Sequence, residues 1–187
     1  GFTNKLTRKE LKSKALKMAG WMKRQGVKKG DRVCAYMPNC SETIITMLAT
    51  SALGAIFSSC SSDFGIEGVI DRFEQIEPKI LVSANGYLYN GKVIDRSEEI
   101  KKISKRLPSL EHILVVEYIS SNKDIYNFPN FNTVFQSDTL ESYVLCEFND
   151  PLYIVFSSGT TGKPKCITHS IGLSLIHISE PTRPLGI

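Results

Sequence analysis

Four short apolar runs, at 32–37, 79–84, 112–116 and 152–156, constrain this chain most, because no hairpin joins any one of them to the next. Between them lie segments with helical periodicity or long polar connections. Strands that alternate with helices of ten or more residues cannot pair as antiparallel neighbours, so the pattern predicts an α/β fold with a parallel sheet and helices on both faces. The first helix is well marked. Thr7 is its N-cap and Glu10 stands at the third position, a capping box. Leu11, Ala15, Met18, Ala19 and Met22 recur at steps of three and four, and Gly26 stops the helix. Ser41 is read as the cap of a second helix reaching about Ala55. Ile44, Ile45, Met47, Leu48, Ala49, Ala52 and Leu53 make it apolar nearly all round, which requires partners on several sides.

Further helices are predicted over Ile66–Ile76, ended by Pro78, and Ser97–Arg106, with Pro108 just beyond. Asn85-Gly86 and Asn90-Gly91 bracket Tyr87-Leu88-Tyr89 as tight turns. Residues 120–140 are polar, rich in Asn and poorly periodic, and read as one long loop.

Composition narrows the function classes. Hydrophobic residues make up 42% of the 187 and charged residues 22%, which is ordinary for a globular chain. The net charge of +4 is dispersed, and Lys101, Lys102, Lys105 and Arg106 alternate at helical spacing with Glu98 and Glu99. That is a solvated helix face, so no nucleic-acid partner is expected. The five cysteines are odd in number, irregular in spacing and without a C-x-x-C pair, which suits neither a disulfide framework nor a zinc site. They fit a reducing compartment, so the expected location is the cytosol. No window approaches 18 apolar residues, so no membrane partner is expected.

The chemistry-bearing segment is Ser157-Ser-Gly-Thr-Thr-Gly-Lys-Pro-Lys165, which the last apolar run enters directly. A polyphosphate needs such a loop. Gly159 and Gly162 permit positive φ and close backbone approach. Consecutive N–H groups form a concavity for anions. Ser157, Ser158, Thr160 and Thr161 add hydroxyl donors, and Lys163 and Lys165 add charge. In open α/β sheets ligands bind at the carboxyl ends of strands, where this loop is expected. It is not a P-loop. Only two residues separate Gly159 from Gly162, and Pro164 follows Lys163 where Ser or Thr is required.

Ser157 to Lys165 resembles the signature phosphate loop of the adenylate-forming superfamily, which includes acyl-CoA synthetases, luciferases and peptide-synthetase adenylation domains. Gly26-Val-Lys-Lys-Gly-Asp-Arg-Val33 and Met37-Pro-Asn39 resemble the first strand region of these enzymes. Residues 52–65 with 71–79 are similar to the acetoacetate-activating branch in particular, and the likeness runs from about Leu6 to Gly172. Ser62, where that branch more often has Pro, and Cys166, where Gly, Ala or Pro is usual, are departures that remove no phosphate contact. His169 matches a His common after the loop but is read as a core or strand-end residue. Cys60 is read as a buried structural thiol.

The resemblance implies a partial N-terminal domain of a ligase that uses ATP, Mg²⁺, acetoacetate and CoA. It assigns Ser157, Ser158, Gly159, Thr160, Thr161, Gly162, Lys163 and Lys165 to the ATP phosphates, with Thr160 also reaching the metal. The family's adenine pocket, acidic Mg²⁺ ligand, ribose-binding Asp and C-terminal-domain Lys lie farther downstream. Catalytic residues are therefore not identified here, and the chain alone is expected to be inactive. Alternatives are an acetyl-CoA or other short-chain acyl-CoA synthetase, or a non-catalytic nucleotide-binding protein. Residues 1–172 are expected to form the partial domain. Residues 173–187 are expected to be a tail outside it, because Leu173 to Arg183 reads as a translated sequencing-library adapter.

Overall fold

The computed structural model of the chain describes residues 5–120, 128–157 and 162–179, the last four by backbone. In chain order the elements are α1 (Arg8–Arg24), β1 (Arg32–Tyr36), α2 (Ser41–Ala52), β2 (Ile56–Cys60), α3 (Ile66–Phe73), β3 (Ile80–Ala84), β4 (Gly86–Tyr89), β5 (Lys92–Asp95), α4 (Ser97–Arg106), β6 (His112–Val116), β7 (Pro151–Phe156), β8 (Cys166–Ser170) and α5 (Ile171–Ser179). A short 3₁₀ helix, Phe131–Gln136, lies between β6 and β7.

The main sheet has the order β6-β3-β1-β2-β7-β8. All its pairs are parallel except β7 with β8, which is antiparallel. Alternation along β1 divides the interior in two. Val33 and Ala35 join α1, α2 and the 3₁₀ helix on one face. Cys34 and Tyr36 join α3 and α4 on the other. Every residue of β3 is buried, as expected of a central parallel strand covered on both sides.

Local chemistry explains the boundaries. The capping box forms: Glu10 N–H donates to Thr7 Oγ1 at 3.2 Å, and Thr7 N–H donates to Glu10 Oε2 at 2.7 Å. The Thr7 hydroxyl also donates to Glu10 Oε2, and this bond, with the Thr7 N–H, holds the exposed Glu10 carboxyl below its ordinary pKa. Asn90 and Gly91 both take positive φ, 47° and 73°, turning β4 into β5 as a two-residue hairpin requires. Asn85 is a junction rather than a turn residue. Its Oδ1 accepts from the N–H groups of Tyr118 and Ile119, and its Nδ2 donates to Ile119 O.

The structure departs from the sequence reading at four further places. Cys40, not Ser41, occupies the N-cap of α2 and makes no side-chain cap bond. Ser41 is already helical, and its hydroxyl donates to Glu42. Helix α2 is not covered all round: Ile45 and Ala49 are buried, while Ile44 and Leu48 are exposed. Strand β2 was not anticipated, because Ile56-Phe-Ser-Ser-Cys60 carries two serines in a position that pairs with β1 and β7. Finally, residues 128–140 are not wholly irregular. Phe131 and Val134 of the 3₁₀ helix pack under α1, while residues 121–127 lie outside the described chain.

Candidate functional site

The direction of the crossovers locates the functional edge. After β1 the chain turns to α2 on one face, and after β2 it turns to α3 on the other. The two connections part at the carboxyl ends of neighbouring parallel strands, which opens a crevice where ligands bind in this architecture. A cleft of about 420 Å³ occupies that position, lined by Met37, Pro38, Asn39 and Thr43 after β1 and by Ser59 to Asp63 around the end of β2. Tyr87, Leu88 and Tyr89 of the hairpin and Tyr118 complete its wall. Tyr36 fastens the segment after β2, its hydroxyl donating to Phe64 O at 2.6 Å with Ser62 O at 3.1 Å. Among the described residues, the Ser62 hydroxyl is buried and finds no partner.

Strand β7 lies beside β2, held by the buried Ser58 hydroxyl donating to Ile154 O at 2.9 Å. At its carboxyl tip the chain enters residues 157–165 and returns as β8. Phe156 pairs with Cys166, and Ser157 N–H donates to Lys165 O at 3.1 Å, so the two ends of this segment are joined. Gly162 has φ +119°, a conformation that excludes a side chain and bears out the positive φ read for it from the sequence.

The described part brings Ser157, Gly162, Lys163 and Lys165 together at that tip, and Ser158, Gly159, Thr160 and Thr161 lie outside the described residues. The two lysines differ. Lys163 Nζ forms an ion pair with Glu74 Oε1, and this contact raises the ammonium pKa above the ordinary lysine value. Lys165 is exposed, and its ammonium makes no hydrogen bond or ion pair among the described residues. Gln75 binds the same limb: its Nε2 donates to Pro164 O at 3.0 Å, and its Oε1 accepts from Cys166 Sγ at 3.5 Å. Sequence reasoning missed Glu74 and Gln75, which sit 89 residues from their loop partners. Only the sheet order brings them near.

The remaining candidates resolve simply. Burial pushes the Cys60 thiol up to about 12 and the Cys34 thiol well above its usual range, so neither is a nucleophile at neutral pH. His169 lies one residue before the end of β8, with its ring stacked on Tyr153, centroids 4.9 Å apart. Its Nδ1 is buried without a partner among the described residues, so it is a strand-end histidine but not a satisfied one. No group of three or more metal-ligating side chains occurs among the described residues. No described helix is long and apolar enough to cross a membrane.

Comparison with known proteins agrees with this geometry. The family described as AMP-binding enzyme matches residues 1–178. Acetoacetyl-CoA synthetase of Macaca fascicularis is 42% identical over 189 residues, covering 94% of this chain and 28% of that protein. Acetoacetyl-coenzyme A synthetase of Rhizobium meliloti (strain 1021) is also 42% identical, over 184 residues. Among solved structures, acetoacetyl-CoA synthetase from Streptomyces lividans superposes with a TM-score of 0.85 at 34% identity, over 90% of this chain and 26% of that one. The chain therefore spans a little over a quarter of the length of the relatives it matches. The likeness read from residues 26–79 and 157–165 is borne out.

Proposed function

The chain belongs to the AMP-binding enzyme family, and from that premise we propose that it is part of an acid–thiol ligase that activates acetoacetate. In the first half-reaction an acetoacetate carboxylate oxygen attacks the α-phosphorus of ATP, and the bond to pyrophosphate breaks. In the second, the CoA thiol attacks the acyl carbon of the adenylate, loses its proton, and AMP leaves. The observation that carries this reading is the closed loop at the carboxyl tip of parallel β7.

To that loop we assign the β- and γ-phosphates, with the N–H groups and hydroxyls of Ser157, Ser158, Thr160 and Thr161 as the donors. Gly159 and Gly162 let the backbone approach, and Lys163 and Lys165 neutralise charge. Positioning and charge neutralisation dominate such a step. Mg²⁺ would supply further neutralisation of the phosphates. Thr160 is the ligand this chain would offer it. The adjacent cleft, at about 420 Å³, is of a size to take part of a cosubstrate. Five unpaired cysteines support a cytosolic setting.

Residues 1–172 are proposed as the partial domain and 173–187 as its tail. The outward placement of Leu173 and Leu175 supports that division, while the family match to residue 178 pulls the boundary later. Sequencing the encoding cDNA across residues 165–187 decides it. The function is tested by extending the protein to the length of its relatives and assaying pyrophosphate release. Acetoacetate-dependent release, abolished by Lys165→Met, is the expected result. Release that depends equally on acetate makes this a broader short-chain ligase, and no release with any acid leaves a nucleotide-binding protein. The 187-residue chain alone is expected to release none.

A further inference from the structure

The return limb of the loop is tied down by the two residues that follow α3. Glu74 holds Lys163, and Gln75 holds Pro164 and Cys166. The hairpin does not need these ties to close, because the Phe156–Cys166 pair and the Ser157–Lys165 bond already close it. Their effect falls on what the limb presents. A lysine paired with a carboxylate is not free for a phosphate, whereas the Lys165 ammonium, two positions on, has no partner among the described residues. Gln75 is itself fixed, its Nε2 also donating to Asp71 O at 2.5 Å, so it offers the limb a rigid rest.

We propose that Glu74 and Gln75 form a latch on the phosphate loop: Gln75 positions residues 164–166, and Glu74 retains the Lys163 ammonium until a polyphosphate anion displaces it. This rests on the reading of the loop as a polyphosphate site. The exposed ion pair is weak, because water and salt screen it. A polyphosphate brings several charges to one place and outcompetes a single carboxylate. The neutral bonds of Gln75 survive that exchange, so the limb keeps its path while its cation changes partner. Both residues are positioning residues, since neither touches the phosphate.

The test titrates the chain with inorganic tripolyphosphate by calorimetry and follows amide hydrogen exchange at Lys163, Lys165 and Cys166. Glu74→Gln keeps the shape and removes the charge, and is expected to tighten tripolyphosphate binding about threefold. In a Lys163→Met background the same substitution is expected to change nothing. Gln75→Ala is expected to speed exchange at the three amides and to weaken binding about threefold, with β3 amides unchanged. If β3 loosens as well, Gln75→Met, which fills the same volume, replaces it. An equal gain from Glu74→Gln with Lys163 absent would show only a distant field and overturn the latch. Unchanged exchange in the Gln75 variants would overturn its positioning role. Absence of tripolyphosphate binding in every variant would remove both the competition and the loop reading beneath it, and exchange would still judge Gln75 separately.

Discussion

Strands β3 and β7 belong to one sheet and run in the same direction, yet their surroundings are opposite. In β3 all five residues are buried, between α1 and α2 on one face and α3 and α4 on the other. In β7 only Ile154 is buried. Val155 is 42% exposed, and Ile167 opposite it on β8 is 45% exposed. The half of the sheet that has its full cover supplies the stability. The half that carries residues 157–165 has apolar surface that this chain leaves open.

The largest expected effect reads the covered half through alkali. Tyr36 is pushed up to about 12 by burial, and the Cys34 and Cys60 thiols are raised by the same cause. These acids stay protonated in the fold at pH values where the unfolded chain has released its protons. Unfolding then releases protons, so stability falls as pH rises above about 9. Urea midpoints measured from pH 8 to 12 are expected to fall continuously. Tyr36→Phe is expected to flatten the fall between about pH 10 and 12.

One chemical change then compares the two strands directly. Val82→Ala on β3 removes fully buried methyls and is expected to cost about 2 kcal/mol in urea unfolding. Val155→Ala on β7 is expected to cost about 0.5 kcal/mol or less. Equal costs would mean that β7 is covered as well as β3, and the contrast would fail. Between these values, Thr7→Ala removes the cap of α1, the helix that covers one face of β3, and is expected to cost about 1 kcal/mol. The smallest effect is on α2: Ile44→Ser is expected to leave the midpoint nearly unchanged while reducing self-association in light scattering.

The same contrast explains what the sequence disclosed. Helix α4 and strand β6 lie at the predicted residues, because local signals set them: an amphipathic turn pattern, a following proline, and an unbroken apolar run. Strand β2 was hidden because its identity comes from its neighbours. Ser58 is buried only through the bond it donates to Ile154 O, a partner 96 residues away. The family likeness was legible in residues 157–165 from residue types and spacing. Their latch was not, because Glu74 and Gln75 look like an ordinary polar helix end. Nor was the cleft, since it arises where two crossovers leave to opposite faces, a property of strand order alone.

The account stands on residues 157–165 gripping triphosphate oxygens where β7 ends. The most direct measurement is an ATP titration of the chain followed by backbone amide chemical shifts. The account predicts weak, saturable shifts confined to Ser157, Gly162 and Lys163 and to the amides that flank them, with Lys165→Met weakening them. Shifts that instead gather elsewhere, with the loop amides unmoved at saturating ATP, would contradict it.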